Sequence, residues 1–497
     1  MCYISRNEFI YPLCFDADFD TIGGVRRMFL EKTVGCMEDR PMSVTIDELK
    51  KVRQNLSHYL RQFAGCIKTR NSRAHFRTYV SGQIGDLPRK SVEPIALAAG
   101  VAPRSLQEFL GIHRWDHDAV RRRVQEIVMR DHADDNAIAL IDETSFVKKG
   151  DKTAGVQRQY CGASGKKDNC VVTVHLGYTA GDFHALIDGD LYLPQASWDE
   201  DRQRCREAGI PDEVAYRPKW QIALDLLDRA MNNGVRFKYL AADEWYGRTE
   251  GFRAGVDARG LRYVVEVDRS QLGWTRRPKV VVPGASGRGR PPSAPRLAKG
   301  AAAARRVDAL WKRGGPSWEC FHIKNTHKGP VVWEVRAVRF FPCEYTLPAC
   351  ECWLMVARNV LDGEVKYFLS NAPADTPVEV LLHVAFSRWR IERVFEDGKG
   401  EIGLDHFEVR QYRPLMRHLI LSMVSFLFLM QQTQRLQKKT PLGPSAKYGW
   451  PSKHSLIPIY RAANSTGACA WRRTKLNTGS ARTKRLPAPT SNDDTVN

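Results

Sequence analysis

The sequence predicts an α/β protein: a mixed-sheet core, interrupted by a mainly β insertion and preceded by a helical domain. Three observations predict it. Apolar residues recur at helical spacing up to about His132, then give way at Ala137 to short strand-like runs. These runs come first as consecutive strands and then as strand–helix–strand alternation, the order of an α/β layer. A stretch rich in Pro, Gly, Ala and basic residues, Arg269 to about Arg306, and further strand-like segments then separate this core from a return to helix at about Pro377.

Taken in order, residues 1–45 stand apart as an N-terminal segment, and 46–132 form the helical domain. DELKKVRQNLSHYLRQF carries apolar residues at helical spacing with Lys and Arg on the other face. Ser91 to Gly111 reads as helix, short Gly-containing turn and second helix, compatible with helix-turn-helix geometry and equally with a two-helix hairpin in a bundle. Residues 133–268 are the first part of the core. NAIALIDETSF is a strand ending in acidic and polar residues. Asn169–Tyr178 and Phe183–Leu193 are strands joined by the turn TAGD, and Trp220–Met231 is a helix leading into FKYLAADEWYG, a strand with acids at its end. Arg262–Asp268 is another strand. Residues 269–350 form the β-rich insertion with its basic linker, and 351–437 the second part of the core, closing on the helical stretch from Arg388. Residues 438–497 lose periodicity and read as a disordered basic tail.

The net charge of +20 asks for a polyanionic partner, and nucleic acid is the usual one. The tail carries eleven Lys or Arg against two Asp, so +11 remains on the body and the tail alone does not explain the surplus. Twelve cysteines without a CxxC pair read as reduced, mostly buried thiols; Cys350 and Cys352 lack the second pair a structural zinc site needs. No signal-peptide pattern opens the chain, and the longest apolar stretch, Leu419 to Met430, falls short of the ~20 residues of a membrane span. The expectation is a soluble, cytoplasmic, nucleoid-associated protein with no membrane partner.

Three acids stand out. Asp142 and Asp243 fall at the ends of two core strands, where carboxylates of neighbouring strands converge and can hold Mg²⁺ through oxygen ligands. Taken singly, each such residue is more often a surface residue or a helix cap. In SRWRIERVFEDGKGEIGLDHFEV, Arg388, Glu392 and Lys399 follow at intervals of four and seven and share one helix face, with Trp389, Ile391 and Phe395 facing the core. Local spacing leaves open an ordinary Arg–Glu pair on a solvated face. Glu143, Glu244 and Glu396 are rival ligands.

RWRIE followed by six residues and Lys resembles the Tyr-x2-Arg-x3-Glu-x6-Lys signature of the DDE transposases of bacterial insertion sequences. Arg388, Glu392 and Lys399 match its last three positions, whereas Ala385 stands at the Tyr position. IDETSF and AADEWYG resemble the two Asp motifs of the same family, with Asp142 and Asp243 on the catalytic positions, and Arg158–Cys170 resembles the strand-turn region after the first. The resemblance runs from about Ile46 to Gln437. It implies a ribonuclease-H-like core with a β insertion between the second Asp and the Glu. It also implies a metal site of Asp142, Asp243 and Glu392 holding two Mg²⁺, with Mn²⁺ as a substitute, and phosphate contacts from Arg388 and Lys399. Cut-and-paste transfer of terminal inverted repeats to target DNA by a homodimer follows from the same resemblance. A nuclease without strand transfer and a non-catalytic DNA-binding descendant are the competing readings.

Overall fold

The computed structural model describes residues 46–282, 294–311, 315–326 and 329–439, so the expectations for residues 1–45 and for the tail from 440 onward lie outside the described residues. Five helices open the described chain, as the periodicity predicts: α1 (Ile46–Arg61), α2 (Arg70–Ile84), α3 (Val92–Ala99), α4 (Pro103–Gly111) and α5 (His117–His132). Thr69 accepts the Ser72 N–H to start α2, and Asp116 accepts the Asp118 and Ala119 N–H groups to start α5. Between α3 and α4 the chain turns through Gly100, whose φ of 67° suits glycine, and Pro103 fixes the first turn of α4.

The core follows with β1 (Ile138–Val147), β2 (Gln157–Cys161), β3 (Lys166–Ala180), β4 (Phe183–Leu191), α6 (Arg202–Glu207), α7 (Lys219–Asn232), β5 (Tyr239–Ala242), α8 (Glu244–Gly247), α9 (Glu250–Ala258) and β6 (Arg262–Val267). Ile138 to Ile141 are all buried, as a central strand covered on both faces requires. β1 pairs antiparallel with β3 and parallel with β5; β3 continues antiparallel to β4, and β5 parallel to β6. Three antiparallel strands and two parallel ones in the order β4-β3-β1-β5-β6 make a ribonuclease-H-like sheet.

The insertion contributes β7 (Leu272–Trp274), β8 (Val280–Val281), β9 (Arg296–Leu297), β10 (Arg305–Arg306), β11 (Glu319–Thr326), β12 (Gly329–Glu344), β13 (Leu347–Pro348), β14 (Cys352–Asn359) and β15 (Val365–Ser370). It is not a separate layer. β15 pairs antiparallel with β6, and β14 and β12 follow outward, so the insertion prolongs the core sheet. An uncovered β6 would leave a row of backbone donors and acceptors at an edge, and β15 pairs them. β14 and β15, which the sequence reading places in the second part of the core, are thus the bridge between insertion and core. The basic Pro/Gly-rich stretch, expected to be a linker, is pinned where it is described: β8 pairs with β9, and β10 with β7.

After the insertion come α10 (Val378–Ser387), α11 (Trp389–Ile402) and α12 (Tyr412–Lys439). The expectation that the apolar stretch of α12 is too short to span a membrane is corrected: Tyr412–Arg435 is long and apolar enough by length and composition, but 94% of its apolar window is buried inside the protein. Its neighbours explain the apolarity. The Tyr59 hydroxyl donates to the Val424 carbonyl at 2.9 Å, Tyr79 and His418 are hydrogen-bonded at 2.8 Å, and Gln83 meets Ser422 and Ser425, each at 2.8 Å. Arg417 donates to the carbonyls of Leu110 (2.9 Å), in the last turn of α4, and of Trp115 (2.8 Å), in the link to α5. The N-terminal helices therefore close around a helix that follows α11 in sequence.

Candidate active site

Asp142 lies in the middle of β1, not at its end as expected: β3 keeps pairing with β1 as far as Val147. What ends is the other neighbour. β5 stops at Ala242, opposite Ile141, so Asp142 and Asp243 are the next residues on two parallel strands. Asp243 is also the cap of α8, accepting the N–H groups of Trp245 (3.0 Å) and Tyr246 (3.2 Å). Gly247 closes that helix because a Cβ there would collide with the Glu266 carbonyl oxygen on β6. The Asp142 carboxyl is pushed up to about 8, first by burial and then by repulsion from Asp243, against the pull of Arg388.

α11 brings the third acid. Ile391, Val394 and Phe395 are buried under it, and Glu392 is 53% exposed on its other side. Arg388, the single residue between α10 and α11, sends its guanidinium to both acids: 2.6 Å to Glu392 and 3.5 Å to Asp142. The structure thus brings Asp142 and Asp243 together and joins Glu392 to them through an arginine. Among the described residues, no three His, Cys, Asp or Glu side chains are grouped closely enough to hold a metal ion. Lys399 reaches β1 and donates to the Ser145 carbonyl at 3.3 Å, and burial lowers its pKa. Arg388, just before α11, and Lys399, within it, both touch β1. Gly398 and Gly400 do not break α11, which continues to a left-handed Gly403; Gly398 lets Leu404 pack close.

Three comparisons bear on this arrangement. A family profile described as "DDE superfamily endonuclease" matches residues 62–329. The chain belongs to the DDE superfamily of endonucleases. A protein of Microchaete diplosiphon named "Probable transposase for insertion sequence element IS701" is 33% identical over 189 residues, 37% of this chain and 46% of that protein. The chain therefore spans less than half the length of this relative. The NurA nuclease from Sulfolobus solfataricus aligns over 56% of this chain and 89% of its own at 10% identity, with a TM-score of 0.22.

In this DDE endonuclease two of the three rival acids have other partners. Glu143 pairs with Lys219 and accepts from the Tyr246 hydroxyl at 3.3 Å. Glu396 pairs with Arg393 at 3.2 Å, and Glu244 has its pKa raised by burial and then by Asp268 and Glu266. Ala385, at the signature's Tyr position, is buried in α10, while its neighbour Phe386 packs 4.9 Å from Trp333 and 5.9 Å from Phe368 of the insertion. The Lys219–Glu143–Tyr246 group beside the two aspartates escaped the sequence reading. Only the hydroxyl in AADEWYG hinted at it, and nothing local ties Lys219 to a residue 76 positions away.

Proposed function

We propose that the chain is the transposase of an insertion-sequence element, cutting the element's ends from DNA and joining them to target DNA as a homodimer assembled on the terminal inverted repeats. The observation that carries the reading is the pair Asp142 and Asp243, adjacent in register on parallel strands, with Glu392 one arginine away. The donors are all carboxylate oxygens, the chemistry that suits Mg²⁺ with Mn²⁺ as a substitute. A raised Asp142 beside a second aspartate is the electrostatic condition a divalent cation relieves. Asp142, Asp243 and Glu392 would hold two such ions. When bound, these ions activate water or a DNA 3′-hydroxyl for in-line attack and stabilise the leaving oxygen. Arg388 exchanges its carboxylate partners for phosphate oxygens, which a guanidinium fork suits, and Lys399 adds a second cation for the charge that gathers on them. The body charge and the exposed Arg104 and Gln107 on the outward face of α4 support DNA binding by the helical region. A nucleoid-associated cytoplasmic location goes with that substrate.

The test is strand cleavage of a duplex carrying the element's end, found from the flanking genomic sequence, in Mg²⁺ or Mn²⁺. Cleavage by the wild type that vanishes in Glu392→Gln, with DNA binding retained, is the expected result. Cleavage without joining to target DNA would reduce the reading to a nuclease. Binding without cleavage by the wild type would make the protein a DNA binder.

A further inference from the structure

The ladder between β11 and β12 slips between His322 and Lys324: His322 stands opposite Val332, and Lys324 opposite Val331. Residues opposite one another share a sheet face, and successive residues alternate. His322 therefore lies on one face, and Lys324 on the other, with Val331 and Trp333. In a regular strand two residues spaced by one would face the same way; the extra residue, Ile323, turns Lys324 over. The face it gains is the one against which α10 is packed, since Phe386 lies 4.9 Å from Trp333.

There the Lys324 ammonium sits 4.0 Å from the ring centroid of Trp389, the first residue of α11 and one turn before Glu392. An aromatic face holds a cation in place without consuming its N–H donors. Burial lowers the pKa of Lys324, Arg390 adds to that effect, and Glu392 opposes it. Glu392 is already paired with Arg388. A cation is thus delivered by the insertion to the catalytic helix, partly stripped of water, with its nearby acid committed elsewhere. Its unmet need is an anion.

We infer that Lys324 is a positioning residue that grips a DNA backbone phosphate beside Glu392, so that the insertion clamps the strand onto the catalytic helix. The inference rests on the DNA-cutting reading above, yet its first test does not require cleavage. Affinity of the full chain for a fluorescein-labelled duplex of unrelated sequence is measured against salt concentration. Loss of one phosphate contact flattens the log–log slope by about 0.9 for duplex DNA. Lys324→Gln is expected to show that loss with unchanged thermal unfolding, and Lys324→Arg to restore the slope. Lys324→Met, which keeps an apolar stem of similar length, replaces the Gln variant should that one fail to fold. An unchanged slope in the neutral variant, or an equal loss in Lys324→Arg, overturns the inference.

The second readout is nicking of supercoiled plasmid that carries the element's end, in Mn²⁺. Where the wild type nicks, the neutral variant is expected to turn over about tenfold more slowly at saturating DNA, the scale of about 1.4 kcal/mol in a barrier. An unchanged saturating rate overturns the positioning role. A wild type that binds but never nicks sinks the transposase reading, while the salt slope still decides whether Lys324 meets phosphate.

Discussion

Arg388 divides one guanidinium between Asp142 and Glu392, and that division shapes what the metal-free chain feels at neutral pH. Asp142 remains short of charge compensation, because burial and Asp243 together outweigh the arginine 3.5 Å away. With its carboxyl pushed up to about 8, the folded chain holds a proton that the unfolded chain gives up near pH 4. Stability of the metal-free protein therefore falls as pH rises between those values. Asp142→Asn should remove this slope and raise the melting temperature at pH 8 in chelator, while changing little at pH 4. Thermal unfolding at both pH values checks it, and a variant that melts no higher than wild type at pH 8 counts against a strained pair. Asp188 is the contrasting buried acid. Fully buried, it meets Arg229 through both oxygens at 2.8 Å and Arg121 at 3.5 Å, tying α5, β4 and α7 together. Asp188→Ala takes both short contacts from Arg229, leaving it Asp190 at 3.9 Å, while Arg121 keeps Asp118 at 2.9 Å; the change should cost about 3–5 kcal/mol, read as a lower denaturant midpoint. A loss under 1 kcal/mol would show that water replaces the carboxylate.

At the scale of elements, the two aspartates depend on where β5 stops and how α8 starts. The cap bonds from Trp245 and Tyr246 fix Asp243, and the contact of Gly247 with the Glu266 carbonyl fixes the short helix against β6. Gly247→Ala should push α8 off β6 and misplace Asp243. The expected outcome is a loss of metal-dependent cleavage well beyond the accompanying loss of stability, which overpacking puts at about 1–3 kcal/mol. Mn²⁺ affinity and melting temperature measured on the same preparation separate the two effects; unchanged Mn²⁺ binding would contradict the argument. Most of these elements were legible in the sequence, because the central strands carry short apolar runs, such as Ile138–Ile141 in β1 and Tyr263–Val265 in β6, and α11 carries its buried stripe at helical spacing. The register between them was not. That β1 runs past Asp142 depends on β3 as partner, and that Lys324 faces α11 depends on one extra residue in β11. Neither leaves a mark in local composition.

Across the whole molecule, the order of packing differs from the order of the chain. Composition and periodicity announced a helical region, a core and an insertion, but not that the insertion would continue the core sheet through β15 or that α12 would be the spine of the N-terminal helices. Those joins are long-range, and a pattern within a short window cannot carry them. Their chemistry can be tested by acid. His418 of α12 is buried between the Tyr79 hydroxyl at 2.8 Å and the Leu404 carbonyl at 3.1 Å, and burial brings its pKa down to about 4. His175 and His184, in the core sheet, are brought down to about 3 by burial as well. Each is neutral in the folded chain and takes up a proton near pH 6.5 once unfolded. The stability they contribute is complete above about pH 6.5 and is lost as pH falls through that value toward their folded pKa. Chemical denaturation at pH 7, 6, 5 and 4 should show stability declining over this window. His418→Gln, which can still bond both partners but does not titrate, should decline less steeply. Hydrogen exchange gives the location: with His418 protonated, the amides of α2 and the middle of α12 should lose protection before those of β1 and β3. Equal slopes for wild type and variant, or first loss of protection in the sheet, would mean that the joint between helices and core is not where acid opens this protein.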